Sequence, residues 1–416
     1  MKHMYRRINS CRICGNTNLA EVLDLGVQAL TGVFPKTRAQ TVTTGPLRLV
    51  KCTGAEDVCG LLQLEHTYEL GELYGDNYGY RSGLNATMAA HLHGKVEKIL
   101  ARVNPARGAL IIDIGSNDGT TLKAYPAGEY TLVGIDPTGA KFEGFYPRHV
   151  QLIPEFFSAN VLQRHFAERR AAVITSFSMF YDLEEPLTFM REIHDALGED
   201  GIWVSEQSYM PLMLRRNAYD TVCHEHLEYY ALKQIKWMAD EAGMKILDVE
   251  FNDVNGGSAS VVMARRSADY SESSKVAELL ESERREGLDT LAPYREFAER
   301  VAASRRGLRN FLETARQSGK TVSGLGASTK GNVLLQFCNI TDADIAAVGE
   351  VNPDKFGSFT PGTLLPITAE DEMLAKEPDY LVVLPWHFRS SFLETPKLAG
   401  RNLIFPLPEL ELVRPV

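Results

Sequence analysis

The sequence predicts an α/β protein in three parts, and three observations predict it. Four of its six cysteines fall in two pairs near the start, Cys11 with Cys14 and Cys52 with Cys59. Two separate strand, glycine-turn, helix units follow, one opening at Asp113 and the other at Gly324. Between them the chain changes to helix throughout, from about Ser273 to Ser318. The expected division is residues 1–80, a small zinc-binding domain; 81–270, a Rossmann-like domain; 271–318, a helical connector; and 319–416, a second Rossmann-like domain.

With 416 residues, 44% hydrophobic and 24% charged, composition is that of an ordinary soluble protein of two or three domains. No apolar run approaches the roughly 18 residues that span a bilayer, and Met1–Arg7 lacks a secretory apolar core, so no membrane partner and a cytoplasmic location are expected. The net charge of −10 is spread along the chain, which argues against nucleic acid as a partner and leaves room for a small anion in a locally basic cleft.

A cytoplasmic chain keeps its thiols reduced. Cys11-x-x-Cys14-Gly15 is a knuckle, and Cys52 and Cys59 follow the predicted strand Leu47–Cys52. Two thiolate pairs supply all four ligands of tetrahedral Zn²⁺ and leave no open position for a substrate water, so the metal is read as structural. His66 is an alternative ligand. Cys338 reads as core.

After a segment dense in tyrosine and glycine, Tyr68–Tyr80, comes a helix from about Thr87 to Val103. The apolar run ending at Asp113 then enters Gly115-Ser-Asn117-Asp118-Gly119, and Asp136 ends the next strand. Glycines let backbone N–H groups approach a ligand, and the acid accepts from both ribose hydroxyls of an adenosyl group. A dinucleotide needs a bare backbone at the position of Asn117, and carboxylates at Asp113 and Asp118 repel a pyrophosphate but suit the cationic amino-acid end of S-adenosylmethionine. Asp113, Gly115, Asn117, Asp118, Gly119, Asp136 and Ser176 are therefore the expected cofactor residues. Strands at 130–135, 150–153, 172–176, 201–206, 244–250 and 258–265 predict a mostly parallel sheet.

Tyr219–Tyr230 concentrates two histidines, two glutamates and three tyrosines. His224 and His226 at i and i+2 diverge on a helix, so a metal would need a third ligand elsewhere; a general base with an adjacent orienting carboxylate, Glu225, is more economical. In the connector, Phe297, Val301, Leu308, Phe311 and Leu312 form one apolar face. Beyond it, Gly324-x-Gly326-Ala-Ser328-Thr329-Lys330 opens a helix with hydroxyls and a cation suited to phosphate, and strands near 346, 380–384 and 402–405 close the last domain.

The order of these motifs resembles the sugar C-3'-methyltransferases of deoxysugar biosynthesis, the group that includes the tetronitrose C-methyltransferase. The likeness is carried by Cys-x-x-Cys-Gly at 11–15, Leu25-Gly26-x-Gln28-x-Leu30, Gln63-Leu64 after the second cysteine pair, Tyr78-x-Tyr80-x-Ser82, the Asp113–Gly119 turn, His224-Glu225-His226, Gly256-Gly257-Ser258, the Gly324 turn, Pro353-Asp354-Lys355 and Pro361-Gly362. That resemblance implies a structural zinc domain, a class I methyltransferase domain for S-adenosylmethionine, and a C-terminal domain for a nucleoside-diphosphate 4-keto-6-deoxysugar, dTDP- or GDP-linked. By similarity His226 is the base with Glu225 beside it, and Tyr80 lines the sugar. The implied substrate-binding set is Tyr78, Ser82, His224, Ser328, Lys330, Asn332, Asp354 and Lys355. Relatives often carry tyrosine where Cys223 stands and histidine where Tyr181 stands; Tyr181 is kept as a catalytic candidate supplying a hydroxyl. A monomer is expected. Competing readings are an O- or N-methyltransferase, a zinc-dependent binding module, and an NAD-dependent nucleotide-sugar oxidoreductase or epimerase at Gly324; the last lacks an evident Tyr-x-x-x-Lys.

Overall fold

The computed structural model describes residues 5–54, 57–73 and 81–415, so the expectations for Tyr78 and Tyr80 lie outside the described residues. The central sheet has seven strands in the order 244–252, 258–265, 197–208, 171–177, 110–114, 131–135 and 150–153. All run parallel except Ser258–Arg265, which is antiparallel to both neighbours. Leu110–Ile114 is buried along its whole length, as expected of a strand covered on both faces by helices. Glycine turns leave its C-terminal edge, which is where open α/β sheets bind ligands.

The N-terminal unit is a four-stranded antiparallel sheet ordered 228–229, 62–64, 44–52 and 19–29. Its edge strand, Glu228–Tyr229, comes from the central part of the chain, directly after His224-Glu225-His226. The last sheet has six strands, 367–369, 348–350, 322–325, 380–383, 403–405 and 411–413, parallel except for the last pair.

The connector differs from its sequence reading. It is two helices, Ser274–Arg285 and Ala292–Gln317. Gly287 takes the left-handed conformation (φ +71°) that ends the first, and Pro293 sits in the first turn of the second, the position where its missing N–H is not needed. Tyr294, Phe297, Val301, Leu308 and Leu312 are buried along the long helix, while Phe311 is half-buried with its ring edge-on to Tyr380. No helix among the described residues is long and apolar enough to cross a membrane.

Helix Ala86–Val103 starts at Asn85, whose side chain accepts from the Thr87 and Met88 amides. Glu206 in the sheet pins it: the carboxylate meets His91 Nε2 at 2.6 Å and Lys95 Nζ at 2.9 Å. The pinned helix turns Met88 and Leu92 toward the site.

Candidate active site

A cavity of about 510 Å³ opens at the C-terminal edge of the central strands. Asp113, Gly115, Asn117, Asp136, Pro137 and Thr138 line one end. Tyr181, Cys223, Glu225, His226, Asn255, Thr329 and Lys330 line the other. All three parts of the chain meet there or support it.

At the first end Asp113 is buried, and burial pushes its carboxyl up to about 7 against the hydrogen bonds from Thr175 Oγ1 (2.5 Å) and Thr121. Gly115 turns with φ +69°, and a Cβ there would stand 3.0 Å from Met179 Cγ, so only glycine keeps the loop against the strand edge. Asp136 takes the Asn117 amide (2.7 Å) and the Thr138 amide (2.7 Å) and hydroxyl (2.6 Å), which locks the two strand ends together. Asp118 and Gly119 do not face the cavity. Asp118 instead accepts from the Gly83 amide (3.2 Å) and lies 3.7 Å from Arg81 Nε, and Asn117 Oδ1 accepts from the Ser82 amide (3.0 Å). That is how Ser82 is brought to the cavity wall. Gly119 packs under the Tyr146 ring. Ser176 is buried in the sheet, accepting from Trp203 Nε1 at 2.9 Å.

At the second end the His226 imidazole donates from Nδ1 to the Thr221 carbonyl at 2.9 Å. A carbonyl only accepts, so Nδ1 carries the proton and Nε2 keeps a lone pair. Burial, reinforced by the charge of Lys330, lowers its pKa to about 3, and the ring is neutral at ordinary pH. Tyr181 meets it edge-on, centroids 4.4 Å apart. The orienting group is thus Thr221, where the sequence points to Glu225. Glu225 turns its carboxyl toward Thr31, Gly32 and Cys223, and burial raises its pKa. Lys330 Nζ donates to the Asn255 carbonyl at 2.6 Å, and burial lowers its pKa despite Asp220 nearby.

Several expected residues lie elsewhere. His224 is fully buried, its Nε2 3.4 Å from the Gly45 carbonyl and its ring edge-on to Tyr68, with its pKa lowered by burial to about 4. Ser328 caps helix Thr329–Phe337 by accepting from the Gly331 amide. Asn332 is buried and donates to the Thr31 carbonyl (2.8 Å). Glu350, the counterpart of Asp136 in the last domain, accepts from the amides of Ala327, Val351 and Asn352. Lys355 covers it, donating to the Ala327 carbonyl at 2.7 Å, and Asp354 is exposed. The second glycine turn is therefore filled by its own side chains. It contributes the Thr329–Lys330 helix start to the shared cavity. Sequence reasoning missed Thr138, Phe156, Phe157 and Met179 in the cavity wall and Thr221, which orients His226; the paired phenylalanines just after strand Val150–Ile153 were the available signal.

The sulfurs of Cys11, Cys14, Cys52 and Cys59 lie within 4.8 Å of one another, with Cys11–Cys59 at 3.4 Å and Cys14–Cys52 at 3.6 Å. Tetrahedral zinc with Zn–S of about 2.3 Å needs sulfurs roughly 3.8 Å apart, so the cluster fits. Asn16 Nδ2 donates to Cys52 Sγ at 3.2 Å, the supporting contact such thiolates require. His66 is outside the cluster. Zinc held here is structural, since all four ligand positions are cysteine sulfurs and none is left open.

Three family models match the chain: a zinc binding domain at residues 11–74, a methyltransferase domain at 88–249 and a C-methyltransferase C-terminal domain at 253–408. The C-methyltransferase NovU of Streptomyces niveus is 30% identical over 422 residues, 99% of this chain and 99% of its own. Among solved structures, an S-adenosylmethionine-dependent methyltransferase from Clostridium acetobutylicum aligns with TM-score 0.32 and 10% identity over 42% of this chain and 90% of that one. The C52A form of LepI, in complex with S-adenosylhomocysteine and a substrate analogue, aligns with TM-score 0.34 and 17% identity, over 41% of this chain and 46% of that one.

Proposed function

Since the chain belongs to the C-methyltransferase family, we propose that it adds a methyl group to C-3' of a nucleoside-diphosphate 4-keto-6-deoxysugar, dTDP- or GDP-linked. One observation carries this reading: a neutral, oriented imidazole, His226, shares a single cavity with the Asp113–Asp136 loop.

S-adenosylmethionine supplies a sulfonium methyl that is already activated, so a C-methyltransferase needs an acidified carbon, a base and alignment. Asp136 accepts from the ribose hydroxyls, and Phe156, on the rim of the cavity, offers a face for adenine. Asp113 faces the donor's ammonium. His226 Nε2 takes the C-3' proton, whose acidity comes from the neighbouring ketone. The electron pair moves to the C-4' oxygen, where Lys330 stabilises it. Lys330 thus acts in two opposite senses: its charge lowers the proton affinity of His226 and also lowers the energy of the enolate.

Two pH dependences follow. Asp113, at about 7 in the free protein, is protonated below neutrality and then no longer attracts a cation. Donor affinity measured by calorimetry should therefore weaken about tenfold between pH 8 and pH 6, and Asp113→Asn should be weak and flat across that range. The base must be unprotonated, and its lowered pKa keeps it so far into acid. With donor saturating, kcat should hold between pH 8 and about pH 5. A histidine at the ordinary value of about 6.5 would lose roughly thirtyfold by pH 5, and such a loss would reject His226 as the base. The substrate class is tested by incubating the enzyme with donor and a panel of nucleotide-linked 4-ketosugars; a gain of one methyl mass on a ketosugar alone supports it, and turnover of none rejects it.

A further inference from the structure

The segment after the base is tied to its own domain, where the Leu227 amide donates to the Tyr181 carbonyl at 2.9 Å, and also to the zinc unit. Arg12 lies inside the Cys11–Cys14 knuckle, and its side chain is 4% exposed. Its guanidinium donates to the carbonyls of Leu64 (2.6 Å) and His66 (3.2 Å) and to Thr67 Oγ1 (2.9 Å), which fixes it against strand Leu62–Leu64. From there Nε reaches within 3.6 Å of Glu228 Oε1, whose side chain is fully buried. Burial, with Asp182 and Glu184 adding like charge, raises the Glu228 pKa well above the ordinary carboxylate value; Arg12 opposes that shift, and neither Glu228 oxygen has a hydrogen-bond partner among the described residues. Glu228 stands opposite Gln63 in the sheet, and the Leu64 amide donates to the Leu227 carbonyl at 2.8 Å. A second tie lies on the far side: Gln234 Nε2 donates to the carbonyl of Cys59, itself one of the four clustered cysteines (2.8 Å). Residues 227–234, which begin one residue after His226, are thus held at both ends by the knuckles that would bind the metal.

We propose that Arg12 is a positioning residue for the base: the zinc knuckle fixes Arg12, Arg12 fixes Glu228, and that strand sets where His226 points in the cavity. This rests on the assignment of His226 above and adds a task for the zinc domain beyond its own stability. The Asp113–Asp136 end of the cavity is built from the ends of the central strands with Ser82 and helix Ala86–Val103, and none of the contacts of this tie reaches it.

The test uses zinc-loaded full-length enzyme and the variants Arg12→Met and Glu228→Gln. Each should keep one zinc per chain and donor affinity within about threefold, lose on the order of thirtyfold in kcat with KM for the ketosugar little changed, and show faster amide hydrogen exchange confined to residues 226–230. Combining Arg12→Met with Glu228→Met, which removes the buried charge along with its partner, should recover part of both the protection and the rate. Chelating zinc from wild type should loosen the same amides while donor binding persists. Unchanged kcat and exchange in both single variants would overturn the proposal, as would joint loss of zinc, donor binding and protection across the chain, since that marks a general folding contact. Should wild type prove inactive on every ketosugar, the assignment of His226 falls, and the confined exchange response alone decides whether the tie exists.

Discussion

His226→Ala is expected to bind S-adenosylmethionine within about twofold of wild type and to lose about 10²- to 10⁴-fold in methyl transfer, the usual worth of a positioned general base. The separation follows from where the two tasks lie. The expected donor contacts are Asp113, Gly115, Asn117 and Asp136, whereas the imidazole lies among Tyr181, Cys223 and Lys330. Nor should the substitution disturb the fold, because the hydrogen bonds lost are those of Nδ1 with the Thr221 carbonyl (2.9 Å) and hydroxyl (3.4 Å), in a wall that faces the cavity. Calorimetry for the donor and initial rates by mass spectrometry give the two numbers. Equal losses in both would mean that His226 supports the cavity and does no proton chemistry.

Lys330→Met carries the second large effect. A cation held in a water-poor wall, aimed where negative charge develops, is worth about 10²- to 10³-fold in kcat, the range found when an oxyanion donor is removed. Its loss has a second signature that a mere packing defect would not show. Lys330 is one of the causes that hold the His226 pKa down, so removing it lets that pKa rise toward the ordinary value. The acid limb of the kcat profile should then move to higher pH in Lys330→Met, while the rate at the plateau is lower. If Lys330 served only the diphosphate, as its hydroxyl-rich helix start suggests from sequence, KM would rise and kcat and the acid limb would stay where they were.

Legibility in the sequence tracked how local the determinants are. The Asp113 turn and the acid at Asp136 could be read because their elements are contiguous, and both line the cavity. Asp118 could not, since its work is done on Arg81 and Gly83, a contact that exists only once the chain folds back. The histidines of His224-Glu225-His226 look equivalent on paper, yet one packs on Tyr68 of the N-terminal unit and the other enters the cavity. That division arises because the segment is pinched between two domains, and sequence spacing carries no record of it. The same holds for Asn332 and Lys355, whose polar groups are consumed by Thr31 and Ala327, and for the strand Glu228–Tyr229, which is lent to the zinc unit's sheet. The connector's break was legible in principle from Gly287 and Pro293, but the apolar stripe on either side masked it.

Transfer from S-adenosylmethionine bearing a ¹³C methyl group to a dTDP- or GDP-linked 4-keto-6-deoxysugar, followed by NMR of the product, tests the shared cavity most directly. A methyl singlet coupled to a quaternary C-3', with the 3'-hydroxyl retained, is the expected result; a methyl resonance on oxygen or nitrogen would contradict it.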